Sequence, residues 1–104
     1  MITVVASIEL KPNSKSQFLE HFLEIMPAVH QETGCREYYP AIDVDSGIPS
    51  QSKNEDSVTI LEKWDSLEAL RDHLVAPHMT AYRDKIQDLV TSVSLKILHP
   101  VTDS

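Results

Sequence analysis

The sequence predicts an α+β fold on a split βαβ plan, in which an antiparallel sheet carries every helix on one face. Three observations lead there. Segments with an apolar period of two begin and end the chain and recur in its middle. Between them lie stripes of period 3.6, bounded by helix-start and helix-stop residues. The resulting order is strand, helix, strand, strand, helix pair, strand. With 104 residues, the chain reads as one domain spanning 1–104.

Residues 2–10 alternate, with Ile2, Val4, Ala6, Ile8 and Leu10 on one face and Thr3, Val5, Ser7 and Glu9 on the other. Lys11-Pro12-Asn13 ends this strand, and Ser14 with Gln17 fits a capping box. A helix over 16–32 follows, its stripe built from Phe18, Phe22, Ile25 and Val29. Pro27 falls inside it and predicts a kink, while Gly34 is a natural stop. The second strand spans 35–44, with Tyr38 and Tyr39 on opposite faces and Pro40 marking an edge or a bulge. Polar residues 45–56 form a hairpin tip.

The third strand covers 57–64, with Val58, Ile60 and Trp64 on one face and Leu61 on the other. Asp65 and Glu68 fit a second capping box, opening a helix that carries Leu67, Leu70 and Leu74. Pro77 suits the first turn of a third helix, which carries Met79, Tyr82, Ile86 and Leu89. Val93, Leu95 and Ile97 alternate with Ser94, Lys96 and Leu98 in a last strand, and 99–104 reads as a loose tail that could reach a partner chain. The arrangement is ferredoxin-like. Its second sheet face mixes Val5, Leu61 and Leu98 with polar residues, which predicts a homodimer with sheet packed on sheet.

A net charge of -7 and only 9 scattered Lys and Arg argue against nucleic acid. No apolar run is long enough to span a bilayer, and the N-terminus lacks the basic segment of a signal peptide. Cys35 is the only cysteine, so no internal disulfide forms. The expectation is a cytoplasmic protein that neither spans a membrane nor binds nucleic acid.

Four short pieces are more specific: Glu32-Thr-Gly34-Cys35, the Gln51-Ser52 loop, Glu62-Lys-Trp64, and His73-Leu-x-x-Pro77-His78-Met79-x-x-Tyr82. In that order and spacing the chain resembles the antibiotic-biosynthesis monooxygenase family of dimeric α+β barrels, and within it the bacterial quinol monooxygenases. The resemblance implies oxidation of a small quinol or polyphenol by O2 with no cofactor, neither metal nor flavin. It also implies a homodimer whose partners are a small aromatic substrate and O2. Haem-degrading relatives use an Asn, a Trp and a His at positions that here hold Ser7, His73 and Arg83, and all three depart from that pattern.

Such chemistry needs a base, an apolar pocket and donors to a developing anion. His73 and His78 are the candidate bases, because imidazole changes charge near neutral pH. Surface or capping roles are their structural alternatives. Trp64, Tyr38 and Tyr82 are candidates to shape a ring site between sheet and helices, and Ser7 to face a ligand. No metal site is expected: five residues place the two histidines roughly 140° apart on a continuous helix. No carboxylate or cysteine stands at a recognisable ligand spacing from them. His21 reads as solvated, and His30 as a favourable charge at a helix end. Two other functions fit the same fold, a non-catalytic dimer that binds small aromatics and an isomerase.

Overall fold

The computed structural model describes residues 1–102. Seven elements occur in the order β1 (Ile2–Leu10), α1 (Lys15–His30), β2 (Cys35–Ala41), β3 (Ser57–Trp64), α2 (Leu67–Leu74), α3 (Pro77–Ile86) and β4 (Val90–Leu98). The four strands form one antiparallel sheet in the order β2-β3-β1-β4. The end of the expected tail, 103–104, lies outside the described residues.

Register fixes what each face carries, because residues directly opposed across a sheet project the same way. Tyr38 opposes Glu62, Glu62 opposes Val4, and Val4 opposes Ile97. That row, with Ala6, Ile8, Val58, Ile60 and Trp64, faces the helices and forms the core with Phe18, Phe22, Val29, Leu70, Met79 and Tyr82. Thr3, Val5, Ser7, Leu61 and Tyr39 take the opposite face. Tyr38 is buried and Tyr39 is exposed, as the alternation requires.

Strand β4 departs from the expected burial. Val93, Leu95 and Ile97 lie on the helix side, opposite Ile8, Ala6 and Val4. They nevertheless remain 55%, 51% and 48% exposed. The helices pack over the β2–β3 side of the sheet and leave this edge row open.

Several local expectations need correction. The side chain of Ser14 makes no capping bond; its backbone is already helical and its carbonyl accepts from Phe18 N. Helix α1 runs through Pro27 and ends at His30, two residues short of the expected stop. The true cap of α2 is Ser66, whose hydroxyl accepts from Ala69 N at 3.1 Å. Asp65 instead pairs with the Arg36 guanidinium. Strand β2 is an edge strand, but its irregularity falls between Cys35 and Glu37, while Pro40 keeps register with Ile60. It ends at Ala41, and Ile42 and Val44 pass exposed into a loop held by its own polar groups. Gln51 Nε2 donates to the Val44 carbonyl at 2.7 Å, and Asn54 Nδ2 reaches back to Glu9 at 2.8 Å.

Gly34 positions the site. Its φ of +85° closes the turn after α1, and a Cβ there would stand 2.7 Å from the Ala69 Cβ of α2. The α1–β2 turn and the start of α2 can approach this closely only without a side chain at 34.

Candidate active site

The close approach at Gly34 brings Glu32 beneath the α2–α3 break. Helix α2 ends at Leu74, and Pro77 at the first turn of α3 redirects the chain. The break turns His73 and His78 toward one carboxylate oxygen. His73 Nδ1 lies 2.9 Å and His78 Nε2 2.8 Å from Glu32 Oε2. A carboxylate can only accept, so each imidazole donates the N–H it places there. The basic lone pairs are left on His73 Nε2 and His78 Nδ1.

The two histidines differ in surroundings. His73 is only 2% exposed, and its ring lies 4.6 Å from that of Trp64 and 5.4 Å, edge-on, from that of Tyr38. Burial lowers its pKa from the ordinary imidazole value, with the Glu32 hydrogen bond acting in the opposite sense. Burial thus favours the neutral ring. His78 is half-buried and lines a small cleft between α1 and α3, of about 120 Å³, with His21, Ile25, Ala81, Tyr82 and the ion-paired Glu24 and Lys85. Dry cavities of about 150 Å³ admit benzene, so this cleft is on the scale of a single ring.

Behind the histidines the interior is packed. Trp64 is fully buried, and Phe22 stacks on Tyr38 at 5.0 Å and meets Tyr82 edge-on at 6.2 Å. Burial, with the nearby Glu62 as the next cause, pushes both tyrosine hydroxyls above the ordinary phenol range. Each stays a protonated donor across the working pH range. Burial likewise raises Cys35 to about 11, so its thiol stays protonated.

Of the six residues singled out from the sequence, the structure gathers His73, His78, Tyr38, Trp64 and Tyr82 on one side of the sheet. Ser7 stands apart on the other face, between Thr59 and Ser94, because the period of two puts it out of phase with Val4 and Ala6. His21 is not simply solvated, since its Nδ1 is sealed with no hydrogen-bond partner among the described residues. His30 Nε2 donates to the Tyr38 carbonyl at 2.8 Å, tying the end of α1 to β2.

Two members of the cluster entered the sequence reading only as parts of short motifs, without a role. Glu32 is 41 and 46 residues from the histidines it joins, so no local spacing announces it. Glu62 did carry a signal: it occupies the inward phase of β3 between Ile60 and Trp64. It is 7% exposed and accepts the Trp64 indole N–H at 2.9 Å. Burial raises its pKa to about 7. Among the described residues, no group of three or more His, Cys, Asp or Glu is arranged to hold a metal ion.

The fold has known counterparts. The antibiotic biosynthesis monooxygenase family model matches residues 1–85, and the chain belongs to that family. It is 36% identical over 102 residues to the Escherichia coli K12 protein named probable quinol monooxygenase YgiN, covering 96% of this chain and 98% of that one. A protein of the same name from Shigella flexneri gives the same identity and coverage. Among solved structures, one from Nitrosomonas europaea has a TM-score of 0.83 at 14% identity, covering 98% of this chain and 100% of the other. Rv0793 of Mycobacterium tuberculosis has a TM-score of 0.80 at 23% identity, covering 99% and 97%. A monooxygenase-type activity follows from the family and the relative together. No helix among the described residues is long and apolar enough to cross a membrane.

Proposed function

We propose that the protein is a cofactor-independent monooxygenase that oxidises a small quinol or polyphenol with O2, working as a homodimer in the cytoplasm. The observation that carries this reading is the pair of imidazoles donating to one Glu32 oxygen. A carboxylate behind an imidazole fixes its tautomer and stabilises the imidazolium formed when the outer nitrogen takes a proton. The phenol of a quinol gives its proton to His78 Nδ1 at the cleft or to His73 Nε2 further in. The resulting phenolate is the electron donor that O2 requires. For a hydroquinone the reaction balances as quinol plus O2 giving hydroxyquinone plus water. One oxygen atom enters the ring, the other leaves as water, and the substrate supplies all the electrons.

Tyr82 and Tyr38 are suited to donate hydrogen bonds to anionic oxygen, and Trp64 supports the His73 ring from behind. The uncovered row Val93, Leu95 and Ile97, with Val5, Leu61 and Tyr39 on the open face, supports the dimer.

The test is oxygen uptake with a panel of one-ring and two-ring hydroquinones, comparing wild type with His73→Ala and His78→Ala. Loss of a positioned base costs about 10²–10⁴-fold in rate. Consumption no faster than spontaneous oxidation would overturn the reading. Conversion of substrate without oxygen would favour isomerisation, and binding without conversion would favour a sequestering role.

A further inference from the structure

Glu62 is a carboxyl group in the wrong place for a core. It sits mid-strand on the inward face of β3, opposed by Val4 on β1 and Tyr38 on β2. Among the described residues it takes part in no ion pair. A buried carboxyl without a cation is costly, and an apolar residue of similar size would pack there more favourably. Its hydrogen-bond partner is the Trp64 indole, two residues along the same strand. Trp64 is wholly enclosed, and its ring lies 4.6 Å from His73, tilted by 35°. His73 in turn donates to Glu32. A continuous line of contacts therefore runs from Glu62 through Trp64 and His73 to Glu32 and His78.

We propose that Glu62 is a positioning residue of this site: its carboxyl holds the indole on which the His73 imidazole rests, and its charge state is transmitted through that ring to His73. An ionised Glu62 accepts the indole N–H as a charge-assisted bond, about twice as strong as the bond to a neutral acid. Protonation loosens that hold and removes a negative charge from the interior.

The groups around it set when this happens. Burial dominates and favours the protonated acid, Glu32 adds repulsion, and the indole bond opposes both, so that the change centres near pH 7. Tyr38 from β2, Tyr82 from α3 and Cys35 at the start of β2 feel the Glu62 charge, and Arg83 acts on the same two tyrosines. The tyrosines and the cysteine stay protonated throughout this range. Glu62 titrates there beside the indole, while burial moves the titration of His73, whose ring also lies against the indole, to lower pH.

The inference concerns the site of the proposed monooxygenase, but its test does not depend on turnover, because Trp64 is the only tryptophan and its emission reports the contact directly. Emission of the full chain is followed from pH 5 to 9 in wild type, Glu62→Gln, Glu62→Leu and the double variant His73→Gln, His78→Gln. Wild type shows a step centred near 7, and the double histidine variant keeps it. Glu62→Gln retains an acceptor for the indole and loses the step. In a parallel NMR titration the His73 ring resonances of Glu62→Gln match wild type below pH 7, where both side chains are neutral, and depart from it above pH 7, while those of Glu62→Leu are displaced throughout. Should Glu62→Leu fail to fold, the glutamine variant still decides. An unchanged step in Glu62→Gln, a step abolished by the histidine substitutions instead, or no step in wild type would each overturn the proposal. If quinols are consumed, Glu62→Gln also loses the limb of the rate profile near pH 7. If none is consumed, the monooxygenase reading fails and the emission result still stands.

Discussion

Replacing Glu62 by glutamine makes stability depend on pH in a way that follows from burial. A carboxyl whose folded value is raised from 4.5 to about 7 binds its proton more tightly in the folded chain. Its contribution to stability is complete below pH 4.5 and is lost as pH rises through 7. At about 1.36 kcal/mol per pH unit over that interval, the loss approaches about 3 kcal/mol. Glutamine is neutral throughout and does not incur it. His73 works in the opposite sense: its lowered folded value means stability is lost as pH falls below 6.5. Both chains share that term, so it cancels in the difference. Urea unfolding followed by far-UV circular dichroism, at fixed protein concentration and from pH 4.5 to 9, measures the effect. The stability of wild type relative to Glu62→Gln should fall by about 3 kcal/mol across the range. With urea slopes of about 1–3 kcal/mol/M, that moves the difference in midpoints by about 1–3 M. A difference that does not vary with pH would refute the reasoning, because it would mean that Glu62 keeps an ordinary carboxyl value in the folded protein.

Gly34→Ala combines a positive φ with a 2.7 Å approach to the Ala69 Cβ, so it should cost at least about 2 kcal/mol and lower the melting temperature by about 10 °C. The second substitution Ala69→Gly should recover part of that loss in the same thermal melt. Ser66→Ala removes the α2 cap and should cost about 1 kcal/mol in urea unfolding. Asp65→Ala, which touches only an exposed pair with Arg36, should change less. Leu95→Asp, placed in the uncovered β4 row, should convert a dimer to a monomer in sedimentation with the circular dichroism spectrum retained.

The fold was legible because its signals are local and periodic. The alternation of residues 2–10, the Phe18–Val29 stripe and Pro77 at a helix start each follow from neighbours in sequence. Caps proved less legible. Asp65 and Ser66 are adjacent and both suit the position; Ser66 takes the cap, and Asp65 pairs with Arg36, 29 residues away. The reading of the site was limited in the same way. His73 and His78 stood out by type and by the break between them, but the group that unites them comes from the α1–β2 turn. Their spacing argued against a shared partner only on a continuous helix, and the new helix expected at Pro77 is what brings them together. The inward phase of Glu62 was visible in the alternation of β3. Its consequence emerged only once Trp64 and His73 were placed beside it.

In the proposed reaction Glu32 holds two imidazoles that take a phenolic proton. Oxygen consumption by Glu32→Gln with a single-ring hydroquinone at pH 7.5, against wild type, tests this most directly. The amide oxygen can still accept from both rings but carries no charge to stabilise an imidazolium, so the variant should turn over at least about 100-fold more slowly while keeping its circular dichroism spectrum. A folded Glu32→Gln that consumes oxygen at the wild-type rate would contradict the account.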